Sequence, residues 1–362
     1  MERLNWHIAD ELSRHANVHV IGPQGAAALK PKNVELSEVS LRPLWKFLLS
    51  SARQSISTAR RIRPDIVLAG SGLTAPAALL AARSSKARAA VYVHGLDVAV
   101  RHPVYRSIWH PAIRHMDIVI ANSHPTAQLV QELGVEESKI RIVHPGVTLP
   151  DAPQTEEALR AFREHHNLGN ARLLLSIGRL TTRKGLREFV QQALPAIVKQ
   201  APDTLLVVIG DAPSDSLHAD VQTPQSIQAA AEALNIGQHL RFLGVITDKA
   251  QLACAYEAAT LHVFPVRSLP SDPEGFGMVA IEAAAHGLPT VAFATGGIVD
   301  AVADARSGKL VASEDYSGFA NAVRQTLAQR DAMRGSCMVF SQNFAWPAFG
   351  ERLWSVLHKK VD

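Results

Sequence analysis

The chain has 362 residues, 47% of them hydrophobic and 19% charged, more than one ordinary core holds and suited to two domains. No uninterrupted apolar run reaches about 18 residues, and Met1-Glu2-Arg3-Leu4-Asn5-Trp6 lacks a signal-peptide core, so the sequence points to a cytoplasmic protein, soluble or peripheral on a membrane. Two cysteines, Cys254 and Cys337, exclude a disulfide framework, and sixteen scattered His without H-E-x-x-H or paired Cys/His spacing speak against a metal centre.

In chain order, strands are predicted at 18–22, 34–40, 65–69, 89–94, 117–122 and 140–144, with helical stretches between several of them. That alternation is the rhythm of an α/β, doubly wound parallel sheet. After the second strand, no acid occurs between Glu38 and Asp65. Arg42, Lys46, Arg53 and Arg60 recur there at spacings of four and seven, beside an apolar stripe of Leu44, Leu48, Ala52, Ile56 and Ala59. This describes a basic amphipathic helix. It reads equally as an ordinary solvated face or as a dock for anionic lipid or a phosphate-bearing acceptor. The basic excess is local: residues 1–150 carry 18 Lys+Arg and 11 Asp+Glu, the remainder 19 and 22. Nucleic acid is not the expected partner, because no aromatic platform accompanies the charge.

Gly70-Ser71-Gly72-Leu73-Thr74-Ala75 follows the third strand and satisfies G-x-G-x-x-G/A, with Asp97 near the distance of a ribose-binding acid. On that motif alone the chain reads as an NAD(P)-dependent oxidoreductase. The fourth strand ends in His94-Gly95-Leu96-Asp97, which puts His94 at a sheet edge, where a lone His is commonly satisfied by a neighbouring carbonyl. Asn122-Ser123 follows the fifth strand. Residues 145–154, rich in Pro and including Gly146, form the expected linker between a domain at 1–150 and one at 151–345.

A second strand series is predicted at 173–177, 205–209, 241–243, 261–264 and 290–294. Its first strand runs into Gly178-Arg179-Leu180-Thr181-Thr182-Arg183-Lys184-Gly185 and then a helix from about Leu186. That places Arg179 and Lys184 in a strand-to-helix loop at the carboxyl edge of the sheet, where open α/β sheets bind ligands. A planar guanidinium fork and a point-charge ammonium together suit a diphosphate.

Farther on, Glu274-Gly275-Phe276-Gly277-Met278-Val279-Ala280-Ile281-Glu282 sets two carboxylates eight positions apart, the second inside an otherwise apolar helix over 278–286. Gly275 and Gly277 let backbone amides approach a group at that helix N-terminus, where orphan N–H groups favour phosphate. A buried ionised Glu282 needs a partner, and a ligand hydroxyl is one. Read alone, the segment is also compatible with Glu274 as a helix cap and Glu282 as a solvated residue.

Gly178-Arg179-Leu180 with Lys184-Gly185, followed about ninety residues later by Glu274-x7-Glu282, resembles the donor site of retaining glycosyltransferases of family 4 (group 1), which have the GT-B fold. The similarity covers essentially the whole chain. It implies two Rossmann-like domains facing across a cleft, with the helix over 346–358 packing back on the first. It implies that Arg179 and Lys184 hold the diphosphate of a nucleotide-sugar donor, that Glu274 faces the sugar, and that Glu282 binds the ribose. The backbone from Gly178 and across Gly275, Phe276, Gly277, Met278 and Val279 lines the same site.

By the same resemblance His94 lies near the donor sugar, with Asp97, Asn122 and Gly146 in neighbouring loops. It implies transfer with retention to a glycan or lipid-linked acceptor, such as lipopolysaccharide, with no cofactor and no metal. Relatives begin with a strand and a Gly-Gly loop, whereas this sequence enters the pattern inside the first helix, so the first strand of the N-terminal domain is missing. Should that loss be native, a non-catalytic sugar-nucleotide-binding protein is the further expectation.

Overall fold

The computed structural model describes residues 2–213, 221–269 and 272–358. Two compact units emerge, one of Met1–Gly146 with Trp346–Asp362 and one of Val147–Ala345. In the first, α1 (Glu2–Ser13) leads to β1 (Val18–Pro23), β2 (Val34–Val39), α2 (Leu44–Ile62), β3 (Ile66–Ala69), α3 (Ala75–Ser85) and β4 (Arg88–Val93). There follow α4 (Leu96–Ala99), α5 (Pro103–Arg114), β5 (Ile118–Ala121), α6 (His124–Glu132) and β6 (Ile140–Ile142). Its strands form two parallel sheets, β1-β2 and β3-β4-β5-β6. β4 and β5 read as continuous apolar runs because both of their faces are covered, with Val91, Val93, Val119 and Ala121 packing on Ile113, Met116 and Val130.

The second unit holds α7 (Glu156–His165), β7 (Arg172–Ile177), α8 (Leu186–Gln192), α9 (Leu194–Gln200), β8 (Thr204–Ile209), α10 (Pro224–Glu232), β9 (Leu240–Gly244) and α11 (Lys249–Ala258). It continues with β10 (Leu261–Phe264), α12 (Met278–Ala285), β11 (Thr290–Phe293), α13 (Ile298–Ala301), β12 (Gly308–Val311) and α14 (Tyr316–Gln342). These six strands make one parallel sheet in the order β12-β11-β10-β7-β8-β9. Alternation along β7 sends Leu174 into one core, with Phe189, Phe293 and Phe319, and Leu173 and Leu175 into the other, with Val207 and Tyr256. The chain then returns through α15 (Trp346–His358) to the first unit, where the Trp346 ring stacks on His7 of α1 at 3.7 Å.

All eleven predicted strands are present with ends moved by a residue or two. β12 is not legible in the sequence, because Gly308-Lys309-Leu310-Val311 is a short edge strand without a distinct apolar period. The stripe assigned to α2 holds in part, with Ala59 buried and Leu48, Ala52 and Ile56 half-buried. The residues it buries are Phe47, Ser51, Thr58 and Ala59, whereas Leu44 is 49% exposed. Ser51 and Thr58 are polar, so the buried face could not be told from hydrophobicity alone.

Candidate active site

β7 ends at Ile177 and Gly178 takes φ +145, a conformation rarely open to side chains, which turns the chain off the sheet edge into the cation loop. Thr182–Lys184 form a 3-10 turn closed by Gly185 at φ +67. The Lys184 ammonium donates to Glu274 Oε2 at 2.7 Å and lies 4.7 Å above the Phe264 ring. Arg183 donates through Nη1 to that same oxygen and through Nε to Asp272 Oδ2 at 2.9 Å. Arg179 is exposed beside them, and no ion pair among the described residues engages it.

Burial by itself would raise the Glu274 carboxyl, but the charges and hydrogen bonds of Lys184 and Arg183 outweigh it and leave the group below the ordinary carboxylate range. Lys184 is lowered by burial and by its neighbours Arg183 and Arg179, with Glu274 opposing. Underneath, fully buried His262 has its pKa lowered to about 3 by burial and by the Lys184 charge. Its Nδ1 meets Thr290 Oγ1 at 3.0 Å.

Glu274 is therefore no helix cap. The N-cap of α12 is Gly277, at φ +90, whose missing Cβ leaves room for the Phe264 ring and the Ile298 side chain. A second glycine pair, absent from the sequence reading, supports this turn. The Gly297 N–H donates to Glu274 O at 2.8 Å, and a Cβ on Gly297 would run into the Gly275 carbonyl. The signal lay in Thr295-Gly296-Gly297 directly after a predicted strand, the same strand-to-loop position as Gly178. Arg183, beside Lys184, carries no sequence signal of its own, yet it is one of the few buried charges among the described residues.

Glu282 lies one turn into α12, half-buried, and the Tyr256 phenol donates to its Oε2 at 3.0 Å. The partner demanded by burial thus exists within the chain, and a ligand hydroxyl would come in addition to it. Tyr256 is in turn stacked on His286, whose Nδ1 meets Glu257 at 2.9 Å.

The other predicted positions belong to the N-terminal unit. His94 Nε2 donates to the Gly70 carbonyl at 3.0 Å, which leaves Nδ1 as the acceptor nitrogen of a neutral ring, and burial lowers its pKa against the pull of Asp97. The Asp97 carboxylate turns back on its own chain and accepts the His94 N–H at 3.0 Å. Asn122 is buried at the end of β5, its Oδ1 without a hydrogen-bond partner among the described residues. Gly146 is packed flat against Trp346, where any Cβ would enter the indole ring. The Gly70–Gly72 loop is covered by protein: a Cβ on Gly70 would meet the Asn5 side chain, and one on Gly72 would stand 2.7 Å from Asp97 Cβ. Those glycines make way for side chains of the unit itself, which leaves the pyrophosphate-binding reading of the motif without support.

Residues 160–343 match the family model described as glycosyl transferases group 1. The chain belongs to that family. Residues 1–149 of this glycosyltransferase match a second model, glycosyltransferase family 4.

It is 28% identical over 305 residues to a GDP-mannose-dependent alpha-(1-6)-phosphatidylinositol monomannoside mannosyltransferase of Mycolicibacterium smegmatis, covering 81% of this chain and 76% of that one. It is 36% identical over 253 residues to D-inositol 3-phosphate glycosyltransferase 2 of Catenulispora acidiphila, covering 68% of this chain and 57% of the relative. The match thus spans little more than half the length of that second relative.

In fold it is similar to Anabaena HepE in complex with UDP, with a TM-score of 0.80 at 18% identity over 98% of this chain and 95% of that one. It is likewise similar to WaaG, a glycosyltransferase involved in lipopolysaccharide biosynthesis, with a TM-score of 0.68 at 19% identity over 99% and 96%. The fold is GT-B. Family membership also removes the oxidoreductase alternative, which gave no role to Arg179, Lys184, Glu274 or Glu282.

Proposed function

We propose that this glycosyltransferase moves a sugar from a nucleoside diphosphate donor, with retention at the anomeric carbon, to a glycan or glycolipid acceptor of the cell envelope. The observation that carries the reading is the meeting of the cation loop with Glu274 ahead of the α12 N-terminus. Arg179, Lys184 and the amides after Gly277 supply fixed positive charge where a leaving diphosphate gains negative charge, the arrangement that electrostatic catalysis needs. Glu274 then faces the sugar and Glu282, steadied by Tyr256, takes the ribose hydroxyls. His94 is proposed to offer its Nδ1 acceptor toward the donor sugar, a hydrogen bond that leaves the ring neutral. These groups meet the diphosphate charge without a required metal. In support, the solved neighbour HepE is in complex with UDP, and the mannosyltransferase relative is GDP-mannose-dependent. A thermal-shift panel of UDP-, GDP- and ADP-sugars with NAD as control tests it. Stabilisation by one of the sugar nucleotides and not by NAD is expected; stabilisation by NAD alone would sink the reading.

One observation favours a peripheral place on the inner face of an anionic membrane. No helix among the described residues is long and apolar enough to cross a bilayer. On α2, however, Trp45 is 64% exposed and Leu49 60%, and at 100° per residue they lie next to exposed Lys46, Arg53 and Arg60. Exposed apolar anchors flanked by cations are the chemistry of interfacial docking. Binding of the chain to vesicles rich in anionic lipid, weakened by Trp45→Ser with Leu49→Ser, is the expected result, and equal binding of that variant contradicts it.

A further inference from the structure

Glu274 Oε2 carries two cations at once, and the two are not equivalent. Arg183 is forked, Nε on Asp272 and Nη1 on Glu274, and its carbonyl accepts the Arg267 N–H at 2.8 Å. Its planar guanidinium fits two carboxylates in fixed directions. Lys184 has a flexible stem, Glu274 as its one carboxylate partner among the described residues, and the face of Phe264 beneath it. A diphosphate arriving at Lys184 brings a second anion to an ammonium that already serves Glu274. The cheapest rearrangement keeps the forked residue still and lets the flexible one change partner.

We propose that Arg183 is a positioning residue that holds Glu274 in place as an anion, anchored through Asp272, while Lys184 exchanges that carboxylate for the diphosphate of the donor. The proposal rests on the donor-site reading above. Arg183 itself does not touch the donor. With Arg183 present, Glu274 keeps a cation after Lys184 has left it. Without Arg183, Glu274 and the diphosphate compete for one ammonium, and a carboxylate beside a second anion is driven to take up a proton. Among the described residues the charges that act on Glu274 are Lys184 and Arg183 from the cation loop; Asp272 holds Arg183, and Arg179 and neutral His262 of β10 adjoin Lys184. Arg267, flanking Arg183, is committed to Glu188 and Glu314. None of these can replace Arg183 as the cation that stays.

The test is titration calorimetry of the full chain with UDP and with GDP at about pH 7, repeated in buffers of different ionisation enthalpy so that protons exchanged on binding are counted. The nucleotide's own second ionisation, near 6, is common to all variants, so the difference between them reads the protein. The expected result for Arg183→Gln is binding weakened by roughly tenfold, the loss of about one charge-assisted contact, together with extra proton uptake approaching one per nucleotide bound. Arg183→Lys keeps a charge that reaches only one carboxylate, so it should show weaker binding with partial uptake. A residue that merely stabilised the loop would lower the melting temperature without changing proton uptake. Parent-like affinity and uptake in both variants overturn the proposal, and Arg183→Lys decides it alone where Arg183→Gln does not fold. Absence of nucleotide binding by the parent chain instead overturns the donor-site reading, and the exchange with it.

Discussion

Replacing Glu274 by Gln should push stability and ligand affinity in opposite directions. In the resting chain the carboxylate neutralises Lys184 and shares Arg183, with side chains only 10–17% exposed. Removing one partner of a buried pair costs about 3–5 kcal/mol. Asp272 still satisfies Arg183 and the site is not dry, so about 2–3 kcal/mol is the reasoned loss. At about 2–4 °C per kcal/mol for a unit of this size, the second unit should melt roughly 4–12 °C lower.

Binding of a bare nucleoside diphosphate gains by the same change, since Lys184 no longer has to leave an anion. A charged hydrogen bond of about 1.5–3 kcal/mol corresponds to roughly tenfold to hundredfold tighter binding. A sugar nucleotide should gain less, because the proposed contact of Glu274 with the sugar is lost as well. Calorimetry with the diphosphate and with its sugar conjugate, beside a thermal melt, measures all three quantities. Unchanged or weaker binding of the bare diphosphate in a folded Glu274→Gln protein would refute the idea that this carboxylate occupies the cation site in the free enzyme.

His262 should be the largest single source of acid sensitivity, with His94 adding in the same direction. The folded His262 pKa of about 3 lies below the unfolded 6.5, so the unfolded chain binds the extra proton, and stability falls as pH drops from about 6.5 toward 3, by a few kcal/mol in all. His262→Gln should flatten that part of a stability-against-pH curve followed by urea melts, and an unaltered slope contradicts the assignment. Glu274 makes a separate contribution to stability that is fully present above about 4.5 and is lost as pH falls through its depressed folded value. Tyr256→Phe removes the donor to Glu282 Oε2, and is expected to weaken nucleoside and nucleoside diphosphate binding alike, about threefold to tenfold; weakening confined to the diphosphate would place Glu282 elsewhere. Gly146→Ala forces a methyl into the Trp346 ring, and should destabilise the first unit by about 1–3 kcal/mol with donor affinity unchanged, as read by melts and titration.

Strand runs such as 173–177 and the loop after them were legible because a buried parallel strand is written as a continuous apolar run and its turn as Gly with charge. Glu282 could be picked out as a carboxylate interrupting an apolar helix, Arg179 and Lys184 as cations in a loop at the carboxyl edge of the sheet, and Glu274 by its place before a glycine turn and its spacing from Glu282. What stayed hidden depended on three-dimensional pairing. Nothing in Arg183 as a letter says that it forks between Asp272 and Glu274, residues about ninety positions away. Nor does a helical period reveal that α2 would bury Ser51 and Thr58 and leave Leu44 and Trp45 to solvent. Gly70 and Gly72 misled in the other direction, since a glycine needed to admit a side chain looks the same in sequence as one needed to admit a phosphate.

The central claim is that the cation loop after β7 holds the donor's diphosphate, and titration of the nucleoside diphosphate that the thermal-shift panel selects tests it most directly. The parent chain should bind with an affinity that falls as salt is raised, and Arg179→Ala combined with Lys184→Ala should lose about 3–6 kcal/mol, reducing binding at least a hundredfold while the protein stays folded. A folded double variant that binds the diphosphate as tightly as the parent would contradict the account.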